Sequence, residues 1–280
     1  MRGCIDQIGR EPGARWAGKT GVLLVHGLCG TPTELRFIAN GLTRAGYEVA
    51  CPTLAGHCGT HTDLTATTWQ DWYATAEAAL LDLASRCDRV IVGGLSTGAV
   101  LSLMLAARHP GKVAGLTLYS PTLWLNGRRV PWYAGLFRLV RFRALASLFH
   151  FPAPLDFGIK DERLRSFIKS ALAAPGVPAL PIATPGIAAL ERQRLVEAVL
   201  PEIARITAPV LMLHPREDEY ADLSNASYLQ ETLGGPADLV VLDDSYHLVT
   251  VDRQRGVVLE RTLAFLEDLT GTARDEQIAA

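Results

Sequence analysis

The chain has little with which to build a disulfide framework. Its 280 residues hold five cysteines, Cys4, Cys29, Cys51, Cys58 and Cys87, an odd number with no C-x-x-C pair. They read as free thiols in a reducing compartment. Net charge is equally scarce. The 27 basic and 29 acidic side chains leave a formal charge of −2, without the clustered basic excess that a nucleic-acid footprint needs. The N-terminus lacks the apolar core of an export signal, because Asp6, Arg10 and Glu11 interrupt it. A membrane span is missing too. Val90 to Ala107 is uncharged and about long enough to cross a bilayer, yet Gly93, Gly94, Ser96, Thr97 and Gly98 sit in its middle and suit a strand, turn and helix better. The expectation is a soluble, cytoplasmic protein. With 49% hydrophobic residues the chain can bury one large core, or one core and an inserted subdomain.

What the chain does have is alternation. Val22 to His26 is a continuous apolar run, the mark of a strand covered on both faces, followed by the loop Gly27 to Pro32 and a helical stretch from about Glu34 to Ala45. Glu48 to Cys51 is a short strand leading into the Gly-rich loop Leu54 to Thr60. Thr68 and Asp71 form a capping box for a helix over Trp69 to Arg86. Next come a strand at Arg89 to Val92, a turn holding Ser96, a helix to His109 and a strand at Val113 to Tyr119. This order predicts an α/β fold, a mostly parallel sheet with helices on both faces. The alternation stops after Pro121 and resumes at Val210 to Leu213, with a helix at Ser224 to Leu233, a strand at Leu239 to Leu242 and a helix at Arg253 to Leu269. Residues 1–122 and 206–280 are therefore expected to form one core domain, and 123–205 an insertion with no clear strand.

Gly94-Leu95-Ser96-Thr97-Gly98 lies between the apolar strand and strong helix formers. G-x-S-x-G in that setting places the serine on a sharp turn at a helix N-terminus, where backbone N–H groups favour developing negative charge. A serine hydroxyl needs a base to take its proton. His247, in Ser245-Tyr246-His247, follows the last strand, whereas His26, His57, His61, His109, His150 and His214 each have an ordinary structural explanation. An acid that orients the imidazole belongs between the two in chain order. Glu217, Asp218, Glu219 and Asp222 all follow the strand at Val210, and Asp218 is best placed. The oxyanion donors are expected to be the backbone N–H groups of Thr97 and Leu28, with His26 holding the loop backbone.

These residues together resemble the bacterial carboxylesterase and monoacylglycerol lipase branch of the α/β-hydrolase superfamily. The likeness rests on His26-Gly27-Leu28-Cys29-Gly30-Thr31-Pro32, Gly56-His57-Cys58-Gly59-Thr60, the Ser96 pentapeptide, Asp218, Ser224-Asn225-Ala226 and Ser245-Tyr246-His247. The resemblance implies an α/β-hydrolase fold with a small helical cap, no cofactor, and ester substrates with an apolar acyl chain. It places Ser96, Asp218 and His247 on the triad, and Leu28 and Thr97 on the oxyanion hole. Leu28 stands where an aromatic is common, Thr97 where methionine is common, and Cys58 and Pro215 replace glycines, changes that touch pocket shape rather than backbone donors. Thioester, amide and acyl-transfer chemistry could use the same triad, and a non-catalytic binding module of the same fold is the alternative outside enzymes.

Other signals carry less. Gly13 to Thr20 fits G-x-x-x-x-G-K-[ST], but no strand precedes it and a strand rather than a helix follows. His57, Cys58 and His61 lack a further ligand pair, so no metal is expected. Asn225-Ala226-Ser227 is a glycosylation sequon within a predicted helix. In the insert, Trp132, Tyr133, Leu136, Phe137, Val140, Leu145, Leu148 and Phe149 recur at near-helical spacing among Arg138, Arg141 and Arg143. They read as a subdomain helix packed on the core or as a lid, with Trp132, Leu136, Phe137 and Phe149 as candidate acyl-pocket residues. Attachment to a membrane surface is a weaker third reading.

Overall fold

The apolar runs become the middle of one sheet. In the computed structural model the described residues are 18–130, 132–152, 157–172 and 183–271. The phosphate-loop-like stretch lies outside them up to Ala17, and the side chain of Trp132 is outside them as well. In chain order the strands are β1 (Thr20–Val25), β2 (Glu48–Ala50), β3 (Arg89–Leu95), β4 (Val113–Tyr119), β5 (His150–Pro152), β6 (Ala183–Pro185), β7 (Val210–Pro215) and β8 (Ala237–Leu242). The helices are α1 (Arg36–Arg44), α2 (His61–Ala66), α3 (Trp69–Arg86), α4 (Thr97–Arg108), α5 (Arg143–Ala146), α6 (Glu162–Leu172), α7 (Gly186–Val199), α8 (Ser224–Thr232) and α9 (Arg255–Thr270). Six strands form a parallel sheet in the order β2-β1-β3-β4-β7-β8.

Side chains alternate across a strand, and here both faces are buried. Leu23, Val25, Val90 and Val92 join one cluster with Leu80 and Leu83 of α3, Leu101 of α4 and Leu195 and Val199 of α7. Their neighbours Val22, Leu24 and Ile91, with Leu95, join a second cluster with Ile38 and Leu42 of α1 and Val258 and Leu266 of α9. α4 carries ten buried residues in a row because it is covered by the sheet, α3 and α7. The α3 capping box forms as expected, Thr68 N–H donating to Asp71 Oδ2 at 2.8 Å.

Register sets where the loops emerge. Val25 lies opposite Gly94, Leu95 opposite Tyr119, Tyr119 opposite Leu213, and Pro215 opposite Leu242. The loops after β1, β3, β4, β7 and β8 therefore leave from one edge of the sheet, where ligands bind in open parallel sheets.

The insert differs from its sequence reading in three ways. It contains two strands, β5 and β6, paired antiparallel. Each has three residues and ends in a proline, too short to alternate and edge-like in chemistry. The expected helix over 132–149 is broken into a 3₁₀ stretch at Trp132–Leu139, an extended Phe142 and the four-residue α5. A spacing of three, as in Leu136 and Leu139, serves a 3₁₀ turn as well as an α-helix. Finally, α7, inside the expected insertion, buries Leu195, Val196 and Val199 in the main core. Outside the insert, α2 begins at His61, where only loop was expected, and is held by a Thr60–Asp63 capping box. Among the described residues no helix is long and apolar enough to cross a membrane, and Val90 to Ala107 resolves into β3, the turn and α4.

Candidate active site

β3 ends at Leu95 and α4 starts at Thr97, so a single residue turns the chain. Ser96 takes φ 56° and ψ −113°, a conformation that costs an L-residue on the order of 1–3 kcal/mol. The flanking glycines allow it. A Cβ on Gly98 would collide with Val25 O, and one on Gly94 with Gly98 O. The Ser96 N–H donates to Tyr119 O at 2.9 Å, and Ser96 O accepts from Ala99 N at 3.1 Å. The Ser96 hydroxyl lies 3.3 Å from Thr122 Oγ1. Thr122 gives its own proton to Ser120 O at 2.9 Å, so Ser96 is the donor in this pair.

The loop after β1 lies against this turn, because a Cβ on Gly27 would sit 3.6 Å from Ser96 Cβ. His26 anchors it from below. Its Nδ1–H donates to Gly27 O at 2.9 Å while Nε2 accepts the Leu54 N–H at 3.1 Å. Burial holds this ring neutral, lowering its pKa to about 4 with help from nearby His57 and against the Gly27 hydrogen bond. Leu28 follows directly, half-buried, and Thr97 is the first residue of α4, where N–H groups have no intrahelical acceptor.

β7 delivers Asp218 and β8 delivers His247. The pair is buried, with side chains 0% and 6% exposed. His247 Nδ1 approaches Asp218 Oδ2 at 2.8 Å and Oδ1 at 3.0 Å. Oδ1 also accepts the Tyr220 N–H at 2.8 Å and the Ala221 N–H at 3.0 Å. Burial alone would raise the Asp218 carboxyl, but His247, His214 and the Ala221 N–H outweigh it and hold the acid below its ordinary range. A carboxylate accepting at Nδ1 fixes the tautomer that leaves Nε2 with a lone pair. The other acids of this loop are occupied elsewhere. Glu217 pairs with Lys160, Glu219 with Arg128, and Asp222 accepts from Ser224 N–H.

Several contributors escaped the sequence reading. Ser120 donates to His247 O at 2.7 Å, tying β4 to the histidine loop. Buried Asp252 accepts the Tyr246, Lys160 and Asp161 N–H groups at 2.7, 2.8 and 2.9 Å. Asn225, the sequon residue, accepts the Leu123 and Trp124 N–H groups at 2.9 and 2.7 Å. Arg192 reaches from α7 to Thr122 O and Leu123 O at 2.9 and 3.2 Å. Beneath the acid, His214 donates to Ala221 O at 2.8 Å and lies 3.6 Å from Asp218 Oδ2. Of the candidate acyl-pocket residues, Phe137 and Phe149 stack edge-on at 5.5 Å within the insert, and Phe137 also meets Phe151 at 5.0 Å. Phe137 packs with Val140, Ala146 and Leu190 in a small core of the insert's own. Leu136 is 59% exposed and points outward. Packing inside the insert accounts for the placing of Phe137 and Phe149.

Comparison with known proteins agrees with this architecture. The profile of the Alpha/beta hydrolase family matches residues 22–261. The chain is 32% identical to the thermostable monoacylglycerol lipase of Bacillus sp. (strain H-257), over 94% of this chain and 96% of that protein. It is 24% identical to a carboxylesterase of Bacillus subtilis (strain 168), covering 90% and 94% of the two. Among solved structures, a metagenome-derived lipolytic enzyme superposes with a TM-score of 0.74 at 30% identity, covering 92% of this chain and 98% of the other. The monoacylglycerol lipase of Paleococcus ferrophilus shares the fold, with a TM-score of 0.70 at 20% identity and the same coverage. This chain belongs to the alpha/beta hydrolase family.

Proposed function

We propose that the protein is a serine esterase that cleaves carboxylic esters with medium-length apolar acyl chains, monoacylglycerol-like esters among them, through an acyl-enzyme on Ser96. One observation carries the reading. A strained serine at a helix N-terminus shares a sheet edge with a buried histidine whose Nδ1 is held by a carboxylate at 2.8 and 3.0 Å. In this mechanism Ser96 turns from Thr122 and passes its proton to His247 Nε2 as Oγ attacks the ester carbonyl carbon. The carbonyl electron pair moves to oxygen, and the N–H groups of Leu28 and Thr97 receive that charge. Collapse expels the alcohol, which takes the proton from Nε2. Water then repeats the sequence on the acyl-enzyme, with His247 as base, and releases the acid. Asp218 stays ionised throughout, orienting the ring and stabilising its protonated form.

The names of the relatives support ester chemistry on lipid-like substrates. The insert supports a cap role, since Cys29 of the oxyanion loop and Thr184 of β6 meet at 3.8 Å. Its outward Leu139, Phe142 and Leu148, each about three-quarters exposed, suit a substrate drawn from a lipid aggregate. The test is a panel of p-nitrophenyl esters from acetate to palmitate, with thioester and amide analogues. Ser96→Ala should lose roughly a million-fold in kcat and all labelling by a fluorophosphonate. Rates should peak at about four to ten acyl carbons and rise further above the critical micelle concentration. A Ser96→Ala variant keeping a tenth of the turnover would overturn the reading. An unlabelled wild-type Ser96 would favour the non-catalytic binding module.

A further inference from the structure

A second carboxyl sits at the oxyanion loop, outside the triad. Glu34 closes the 3₁₀ turn Pro32–Leu35, and its side chain folds back under the loop that precedes it. Oε2 accepts the Gly27 N–H at 3.2 Å. A Cβ on Gly30 would collide with both carboxyl oxygens, and one on Gly27 would lie 3.6 Å from Oε2 and 3.6 Å from Ser96 Cβ alike. The residue as a whole is half-buried, but the acid end is enclosed by loop backbone. Its main-chain carbonyl accepts the Thr250 hydroxyl at 2.7 Å, so the same residue is tied to the segment carrying His247.

We propose that Glu34 is a positioning residue: its carboxyl holds the Gly27 N–H so that the next N–H, that of Leu28, faces the acyl oxygen. The inference rests on the esterase reading above. Burial pushes the Glu34 carboxyl up to about 7, while the Gly27 hydrogen bond and the neighbouring His247 pull the other way. Cys29 of the same loop is the other titratable group coupled to it. Burial pushes the Cys29 thiol up to about 11, so near neutral pH it is uncharged.

Two variants separate the hydrogen bond from the charge. Glu34→Gln keeps an oxygen for Gly27 and loses the charge, whereas Glu34→Ala loses both. On p-nitrophenyl butyrate from pH 5 to 9, Glu34→Ala should lose roughly 10- to 100-fold in kcat with KM nearly unchanged, because the misaimed donor acts on the transition state. Glu34→Gln should recover most of that loss. Glu34→Ala with kcat within two-fold of wild type overturns the proposal. So does a Glu34→Gln variant that recovers none of the loss, or a loss of activity in both variants that merely follows a fall in Tm. A wild-type enzyme without ester turnover or fluorophosphonate labelling would instead sink the esterase reading, and this inference with it.

Discussion

Replacing Asp218 by Asn tests the triad where the geometry is most restrictive. Oδ1 accepts two backbone N–H groups, from Tyr220 at 2.8 Å and Ala221 at 3.0 Å. An asparagine must therefore keep its carbonyl oxygen there and put its NH₂ in the place of Oδ2. That atom lies 2.8 Å from His247 Nδ1. A donor now faces a donor, and the ring relieves the clash by moving its proton to Nε2, the atom required to take the Ser96 proton. The expected loss is on the order of ten-thousand-fold in kcat, about 5.4 kcal/mol in activation free energy. The two backbone bonds survive, so the fold should hold. The assay is steady-state hydrolysis of p-nitrophenyl butyrate at pH 8, with circular dichroism and Tm as controls. Glu219→Gln is the matched comparison, since Glu219 is equally buried but paired with Arg128 at 3.2 Å. A loss under a hundred-fold in Asp218→Asn, or a larger loss in Glu219→Gln, would refute this assignment of the acid.

Two further outcomes follow from the packing. In the unfolded chain His26 takes up a proton as pH falls below 6.5, whereas in the folded protein it does so only near 4. Stability from this site is therefore fully present above pH 6.5 and is lost as pH falls toward 4, by roughly 2 kcal/mol at pH 5. His26→Asn should show a smaller drop in Tm between pH 7 and 5 than wild type, and an equal drop would count against the buried neutral ring. Gly98→Ala should cost at least about 3 kcal/mol, because its Cβ meets Val25 O and lies 2.6 Å from His26 O, backbone atoms that cannot step aside. It should also abolish fluorophosphonate labelling, and a labelled, stable Gly98→Ala would show that α4 has room to move.

What could be read in the sequence is what local geometry dictates. The Ser96 turn demands glycine on both sides, since the backbone passes too close for any Cβ. The central strands demand unbroken apolar runs because both faces are covered. Asp218 and His247 could be proposed from the chain order serine, acid, histidine, and the loops after β7 and β8 leave the same edge of the parallel sheet as the turn after β3. Asn225 and Arg192 could not. Their acceptors or donors around Thr122 to Trp124 are 102 and 70 residues away, and nothing in Ser224-Asn225-Ala226 or in α7 says which backbone it will meet. By its sequence Glu34 reads as the first residue of a helix. Its role depends on the chain doubling back seven residues to Gly27, a turn that no periodicity records.

The insert was the least legible part, and its attachment explains why. Outside α7, its short elements with three-residue strands bury little apolar surface, so this part of the segment depends on polar ties to α7 and the main domain. Glu191 of α7, 1% exposed, is the centre of them. It accepts from Arg143 Nη1 at 2.6 Å and Arg194 Nη1 at 2.8 Å, and Trp69 N–H points at it from 3.4 Å. Arg143 also donates to Thr65 O and, at 3.2 Å, to Thr67 O, the C-cap of α2. A buried carboxylate left without its cations would be strongly destabilising, so this cluster holds the insert in one position as long as both arginines stay. Arg143 looked in the sequence like one of several basic residues on an amphipathic helix. Its neighbours Arg138 and Arg141 do lie toward solvent, and only the fold distinguishes the arginine that turns inward from those that do not.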